Sequence, residues 1–397
     1  MPILFVDDSA RTGLLPLTYA RPAADLRLGI TTLAEKWSRH LDLPVGHLTV
    51  DYLSELYPQN IAEDNVLVAG NLVPNVETVS WVQGLQPNSA FYREGKLVAA
   101  RLDRHHAAAL AQGKLNSSAV ASSEAPHLPY AFVERPADLF LGNAEAITTD
   151  FELLTRNRQS ATLSDTNRVI GPSDRLFLEE GVSLEACILN VEAGPIYIGR
   201  GATVLEGGMF RGPVVIGEGA VVKMGAKIYA GTTIGPHCKV GGEISNVVFQ
   251  ANSNKGHDGY LGNAVVGEWC NLGADTNASN LKNDYGEVKV WSYAAGTMVG
   301  SGLQFHGLIM GDHGKTGINT MLNTGTVIGF SANVFGAGFP PAFIPSFTWG
   351  GAEAMHTYRL DKAIYTARRV MARRNQEFTE AHRTVFEQVF AQSAPWR

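Results

Sequence analysis

The chain has 397 residues, 45% of them apolar and only 18% charged, so it is long enough for two or three domains and a large core. A formal net charge of −6 gives no broad positive field, which excludes general attraction to nucleic acid or to an anionic membrane surface and leaves any anion to be recognised locally. Cys187, Cys238 and Cys270 lie far apart with no CxxC spacing, which supports neither a disulfide framework nor a zinc site and fits a reducing cytoplasm.

The opening run MPILFVDDSAR is acidic where a signal peptide would be basic, and no apolar run approaches the ~20 residues of a membrane span, so a soluble, unexported protein is expected. Ile3 to Val6 reads as a short buried strand, Ile30 to Leu41 as a helix with charges on one side, and Val66 to Ala69 as a second buried strand. Asp103 to Leu115 is Ala-rich and helical. Alternation of this kind predicts an α/β domain of the parallel-sheet class over residues 1–165.

From about residue 168 glycine becomes frequent and aliphatic residues recur every six positions. Ile170, Leu176, Val182 and Ile188 form one register; after a four-residue insertion, Ile198, Val204, Phe210, Ile216, Val222, Ile228, Ile234 and Val240 form another. Glycine often follows, as a tight corner requires, and the aliphatic residue inside each corner fills a prism. The pattern predicts a parallel β-helix of hexapeptide repeats over residues 166–350, with interruptions near residues 246–262 and 279–308 where such scaffolds place function. Residues 351–397 read as a helical cap over the open end of the coil, helical from Ala352 to Ala391, with Arg368, Arg369, Arg373 and Arg374 as a solvated face.

The run from Asn254 to Leu281, NKGHDGYLGNAVVGEWCNLGADTNASNL, resembles the acetyltransferase half of the bifunctional glucosamine-1-phosphate N-acetyltransferase / UDP-N-acetylglucosamine pyrophosphorylase enzymes. It is most similar to a divergent bacterial branch in which GPIYIG, KMGAKIY, TTIGPHCKVGGE, GLIMGDH and GINTMLNTGTVIG also occur, and the likeness extends thinly over the N-terminal part. The resemblance implies a left-handed β-helix assembled as a homotrimer, with acetyl-CoA and an amino-sugar phosphate as substrates. His257 matches the general base of the family's G-H-x-x-Y-L-G motif. A sugar ammonium must lose a proton before its nitrogen attacks a thioester, and imidazole exchanges protons close to neutral pH.

By the same resemblance Tyr260 contacts the sugar phosphate, while Asn271 and Asn280 orient substrate, or else stack as a structural ladder. The family's phosphate-binding arginine and lysine have no clean counterpart; Lys223, Lys227, Lys239 and Lys255 are the candidates for an anion pocket, with Lys282 and Lys289 for the lysine after the asparagine loop. Near the N-terminus, Leu15 to Pro22 resembles the segment following the glycine-rich loop of sugar-phosphate nucleotidyltransferases, which bind a nucleoside triphosphate and Mg²⁺. Here the loop is replaced by Asp7 to Gly13, the lysine by Ala23 and the metal aspartate by Asn71, leaving Asp7, Asp8, Arg11 and Arg21 to serve nucleotide binding.

Gly311 to Thr316 ends in Gly-Lys-Thr but lacks the earlier glycine of a P-loop; Asp312 and His313 instead form a second candidate wall of the site. Two further readings compete. In a metalloenzyme of the γ-carbonic-anhydrase type, His237, His257, His306 and His313 would supply three imidazoles to zinc between subunits, although no H-x₄-H pair occurs among them. In a non-catalytic trimeric scaffold, the fold would persist without chemistry.

Overall fold

The computed structural model describes residues 1–8, 10–115 and 120–397; Ser9, in the acidic loop, lies outside the described residues. Ile3–Val6 pairs in parallel with Val45–Leu48 on one side and Asp64–Ala69 on the other, within a six-stranded sheet. Its residues alternate between two buried faces. Ile3 and Phe5 pack with Trp37, Val79 and Val82, and Leu4 packs with Leu102 and Ala107. Parallel order stops at Asp64–Ala69, because Lys96–Asp103 joins it antiparallel and pairs in turn with Ser89–Arg93. Glu94 and Gly95, both at positive φ, make the two-residue hairpin between those strands.

Helix Leu33–Leu41 starts later than its apolar pattern suggests, because Thr31–Thr32 first pairs with Arg27–Leu28 and Thr32 then closes a capping box with Glu35. A helix that the sequence reading omitted, Pro136–Thr155, opens on proline and lies along the solenoid. Its buried Asn143 accepts from Gly29 N at 2.7 Å and donates to Gly231 O at 2.7 Å, tying both domains to one amide.

From Arg168 the chain winds as a parallel β-helix with three faces. Face one carries Ile188–Asn190, Met209–Arg211 and Lys227–Ile228; face two carries Ile196–Ile198, Val214–Ile216 and Thr232–Ile234; face three carries Thr203–Val204, Val221–Val222 and Lys239–Val240. Ile198, Ile216 and Ile234 stack inside face two, and Val204, Val222 and Val240 inside face three, all of them buried.

The first register requires correction. Leu178, Leu184 and Leu189 fill the prism, paired with Ile198, Val204 and Phe210, while Ile170 and Ile188 stand outward. Spacing misleads there because the strand Leu176–Leu178 is apolar on both sides: Phe177 points out and packs with Phe151 of the long helix. Residues 246–262 also stay in the coil, where Val240, Ile244, Phe249, Lys255 and Leu261 are successive interior positions and two corners are shorter than the regular step. Residues 279–308 do leave the coil, and contain a hairpin of Lys289–Ser292 with Thr297–Gly300.

Helical structure at the C-terminus begins at Leu360, not Ala352. Met355–Thr357 pairs antiparallel with Thr348–Gly350 and covers the edge of the last strand on face three. Helices Leu360–Ala372 and Glu380–Gln392 lie along the side of the prism, where the sequence reading placed them over its end. Phe386 packs on His313, Phe330 and Phe347, and Arg374 donates to His237 O and to Asn254 Oδ1, each at 2.8 Å. No helix among the described residues is long and apolar enough to cross a membrane. All three cysteines are free and buried.

A buried ion cluster closes the junction between the domains. Arg21 donates to Glu268 Oε1 and to Asp312 Oδ2, each at 2.8 Å, and lies 3.5 Å from Asp25. Burial pushes the Asp25 carboxyl up to about 6 and raises that of Asp312, with Arg21 opposing both shifts.

Candidate functional site

Outward positions on face three read Val221, Lys239, Asn254, Asn271 and Lys315 in successive coils. The end of helix Leu360–Ala372 and the residues after it face this column through Val370, Arg373 and Arg374. Between them lies a groove of about 670 Å³, lined by Lys223, Lys239, Asn271, Lys315, Arg373 and Arg374, with His257 among its walls. Cationic side chains therefore converge from two elements distant in sequence. Arg374 in the first place, then burial and the charges of Lys223 and Arg373, lowers the pKa of Lys239 from the ordinary lysine range. Lys315 donates to His313 O at 2.8 Å, and burial brings its pKa down to about 8.

His257 is exposed in the corner Gly256 to Gly259, between face three and face one. The groove thus brings together four residues singled out from sequence: His257, Asn271, Lys223 and Lys239. The ladder of Asn271 with Asn280 anticipated as a structural alternative does not form: the neighbour of Asn271 on face three is Asn254, whose Nδ2 lies 3.4 Å from Asn271 Oδ1.

Tyr260 and Asn280 lie on the other side of the corner. Tyr260 points outward on face one, and its hydroxyl accepts from Asn280 Nδ2 at 3.0 Å, while the same amide donates to Asn263 Oδ1 at 2.7 Å. Gly262 is required by this cluster: a Cβ there would stand 2.3 Å from the Tyr260 hydroxyl. Lys227 faces Glu243 at 3.7 Å on face one, and Lys282 donates to Glu287 O at 2.8 Å within the protruding segment that also holds Lys289. Lys255 requires a correction. It is fully buried at an interior position of the prism, paired with Val240, so it is not an outward-facing phosphate ligand.

The second wall expected at Asp312 and His313 is also corrected. Asp312 is committed to Arg21 and to Glu268 N, and the His313 ring is buried against Trp269, Phe330 and Phe386. Of the four histidines considered for zinc, His237 and His313 sit at corners between faces two and three, His257 at another corner, and His306 against Phe140. Among the described residues no three metal-ligating side chains converge.

In the N-terminal domain a cleft of about 340 Å³ opens beyond the ends of Ile3–Val6 and Asp64–Ala69, lined by Asp8, Asn71, Arg93, Lys96 and Glu134 among others. Asp7 is turned inward, accepting from Ala23 N at 3.0 Å and Thr49 Oγ1 at 2.6 Å, and burial raises its pKa. Arg11 donates to Tyr52 at 2.6 Å and to Thr18 O, and Arg21 is held in the domain junction. Only Asp8 of the four nucleotide-binding candidates therefore lines the cleft. Asn71 donates to Val133 O at 3.1 Å, so these donors do not make a paired-carboxylate Mg²⁺ site.

Sequence reasoning missed Lys315, Arg373 and Arg374 as groove residues. The signal available was the cluster of arginines at one helix end, whose facing surface only the packing reveals.

Residues 3–159 match the family model described as sugar nucleotidyl transferase. Over 93 residues the chain is 36% identical to a bifunctional sugar-1-phosphate nucleotidylyltransferase/acetyltransferase of Sulfurisphaera tokodaii, a match covering 23% of each chain. Over 95 residues it is 35% identical to the bifunctional protein GlmU of Methanococcus vannielii, covering 24% of this chain and 22% of the relative. These matches thus span less than a quarter of the curated relatives' length. A solved structure of the UDP-N-acetylglucosamine acyltransferase from Campylobacter jejuni matches at 14% identity and a TM-score of 0.25, over 56% of this chain and 94% of that one.

Proposed function

We propose that the protein is a transferase that moves an acetyl group from acetyl-CoA to the amine of an amino-sugar 1-phosphate, with His257 as general base. The observation that carries this reading is the convergence of His257 and Asn271 with Lys223, Lys239, Lys315, Arg373 and Arg374 on one groove. Both substrates are anionic, and charge-assisted bonds to phosphate are the strong ones. In the reaction, His257 removes a proton from the sugar ammonium; the freed nitrogen bonds to the thioester carbonyl carbon, the C–S bond breaks, the imidazolium gives its proton to the departing CoA thiolate, and the second proton shed by the acylated nitrogen passes to solvent. Asn271 is assigned to orienting the sugar, as are Tyr260 and Asn280 across the corner. For the first domain the proposal is nucleotide or nucleotide-sugar binding at the cleft beside Asp8, with Mg²⁺ as an added requirement for any pyrophosphate release.

CoA release and pyrophosphate release, assayed separately across a panel of sugar 1-phosphates, test the reading. Acetyl-CoA cleavage that depends on an amino sugar is expected; a protein that releases no CoA with any amino-sugar phosphate overturns it. Arg373→Ala is expected to raise KM for an anionic substrate by roughly ten-fold at low salt, since bonds to charged groups contribute about 1.5–3 kcal/mol, and by less in high salt. An unchanged KM at both salt concentrations removes Arg373 from the site.

We assign the homotrimer to face one, where Ile170, Ile188, Met209 and Met321 are exposed outward. Light scattering is expected to give three chains per particle, and Met209→Asp to lower that mass; a monomeric native protein contradicts the assignment.

A further inference from the structure

The interior positions of face three run Val222, Val240, Lys255, Leu272, Thr316 and Val334, so a lysine stands where the prism otherwise holds a side chain without charge. A buried ammonium needs acceptors, and here they are backbone carbonyls: Nζ donates to His257 O at 2.9 Å and to Asp258 O at 2.7 Å.

The local sequence explains why the space exists. In neighbouring coils the apex of the corner between faces three and one is filled by a buried side chain, Ala226, Thr276 or Thr320, four residues beyond the interior position. The equivalent residue after Lys255 is Gly259, at φ +109°, where a Cβ would meet Thr276 O at 2.4 Å. The preceding corner is shortened to Gly241-Gly242, and a Cβ on Gly242 would lie 2.7 Å from Gly259 O. With both apices stripped of side chains, the lysine supplies the contact that holds the corner.

We infer that Lys255 is a positioning residue for the proposed acetyl transfer, its ammonium fixing from inside the prism the corner that carries His257 at the groove. This rests on His257 acting as the base; the effect on the corner itself can be read without any activity. Misplacing a catalytic group by about 1 Å can cost on the order of a hundred-fold in rate.

The test is Lys255→Leu, since leucine already occupies the interior position of the next coil at Leu272. Lys255→Met serves if the first variant does not fold. Leucine removes the desolvation cost of the buried ammonium, and the two carbonyls it frees belong to exposed residues that can turn to water, so the midpoint of thermal unfolding is expected to change little. Against that, kcat for CoA release is expected to fall roughly ten-fold or more with KM little changed. Hydrogen exchange at residues 256–259 is expected to speed up while the adjoining coils keep their protection. Unchanged exchange at those residues, or a rise spread evenly over the solenoid, would overturn the inference and make Lys255 a core filler. If His257→Ala leaves CoA release untouched, the proposed function fails by that result, and the exchange measurement still decides what Lys255 holds.

Discussion

Exchanging His257 for alanine is expected to lower kcat for CoA release by about 10²–10⁴-fold, the usual contribution of a positioned general base. His257 is exposed in its corner and makes no part of the interior, so its loss has no route to unfolding the coil. The variant should keep the native thermal midpoint and particle mass. Because the amine attacks only when deprotonated, raising the pH should restore part of the lost rate, as bulk solvent takes over the proton. A variant with native kcat removes His257 from the mechanism.

The second large effect is structural. Arg21→Ala leaves Asp312 and Glu268 without their counter-ion at the junction, with Asp312 almost entirely shielded from water. Removing one partner of a buried pair costs about 3–5 kcal/mol, because the charge left behind is neither solvated nor compensated. Denaturant unfolding should show that loss. Asp312→Asn combined with Arg21→Met, which removes the two most buried charges and leaves the partly exposed Glu268 and Asp25, should recover part of it. A loss below about 1 kcal/mol for Arg21→Ala, the range of exposed pairs, would mean that the cluster contributes little to docking.

The solenoid was legible because each coil repeats one demand, an apolar residue inside every face, and the six-residue series from Ile198 to Val240 satisfies it without exception. The frame slipped at Leu176–Leu178, where a domain packs on the outside of the prism and outer residues are apolar as well. Short corners hid the coil through Ile244 and Phe249, since a fixed period cannot follow a changing step. For the site, the motif around His257 located the corner but not its surroundings. By its place in the sequence Lys255 groups with the other lysines of an anion pocket, and its register opposite Val240 and its burial show it to be internal. The arginine-rich helix end was visible as composition; which surface it meets is decided by contacts such as Arg374 to Asn254, and these span much of the chain. Similarly, Arg21 reads as a companion of the acidic loop, yet its partners Glu268 and Asp312 are remote in sequence.

The groove has one wall from the middle of the chain and another from helix Leu360–Ala372 with the arginines after it. During synthesis the ribosome therefore releases the imidazole and the lysine column well before the arginines that face them. A chain that had emerged only as far as the coil would present the lysine side of the groove alone, and the full ring of cationic side chains exists only once residues 360–374 are in place.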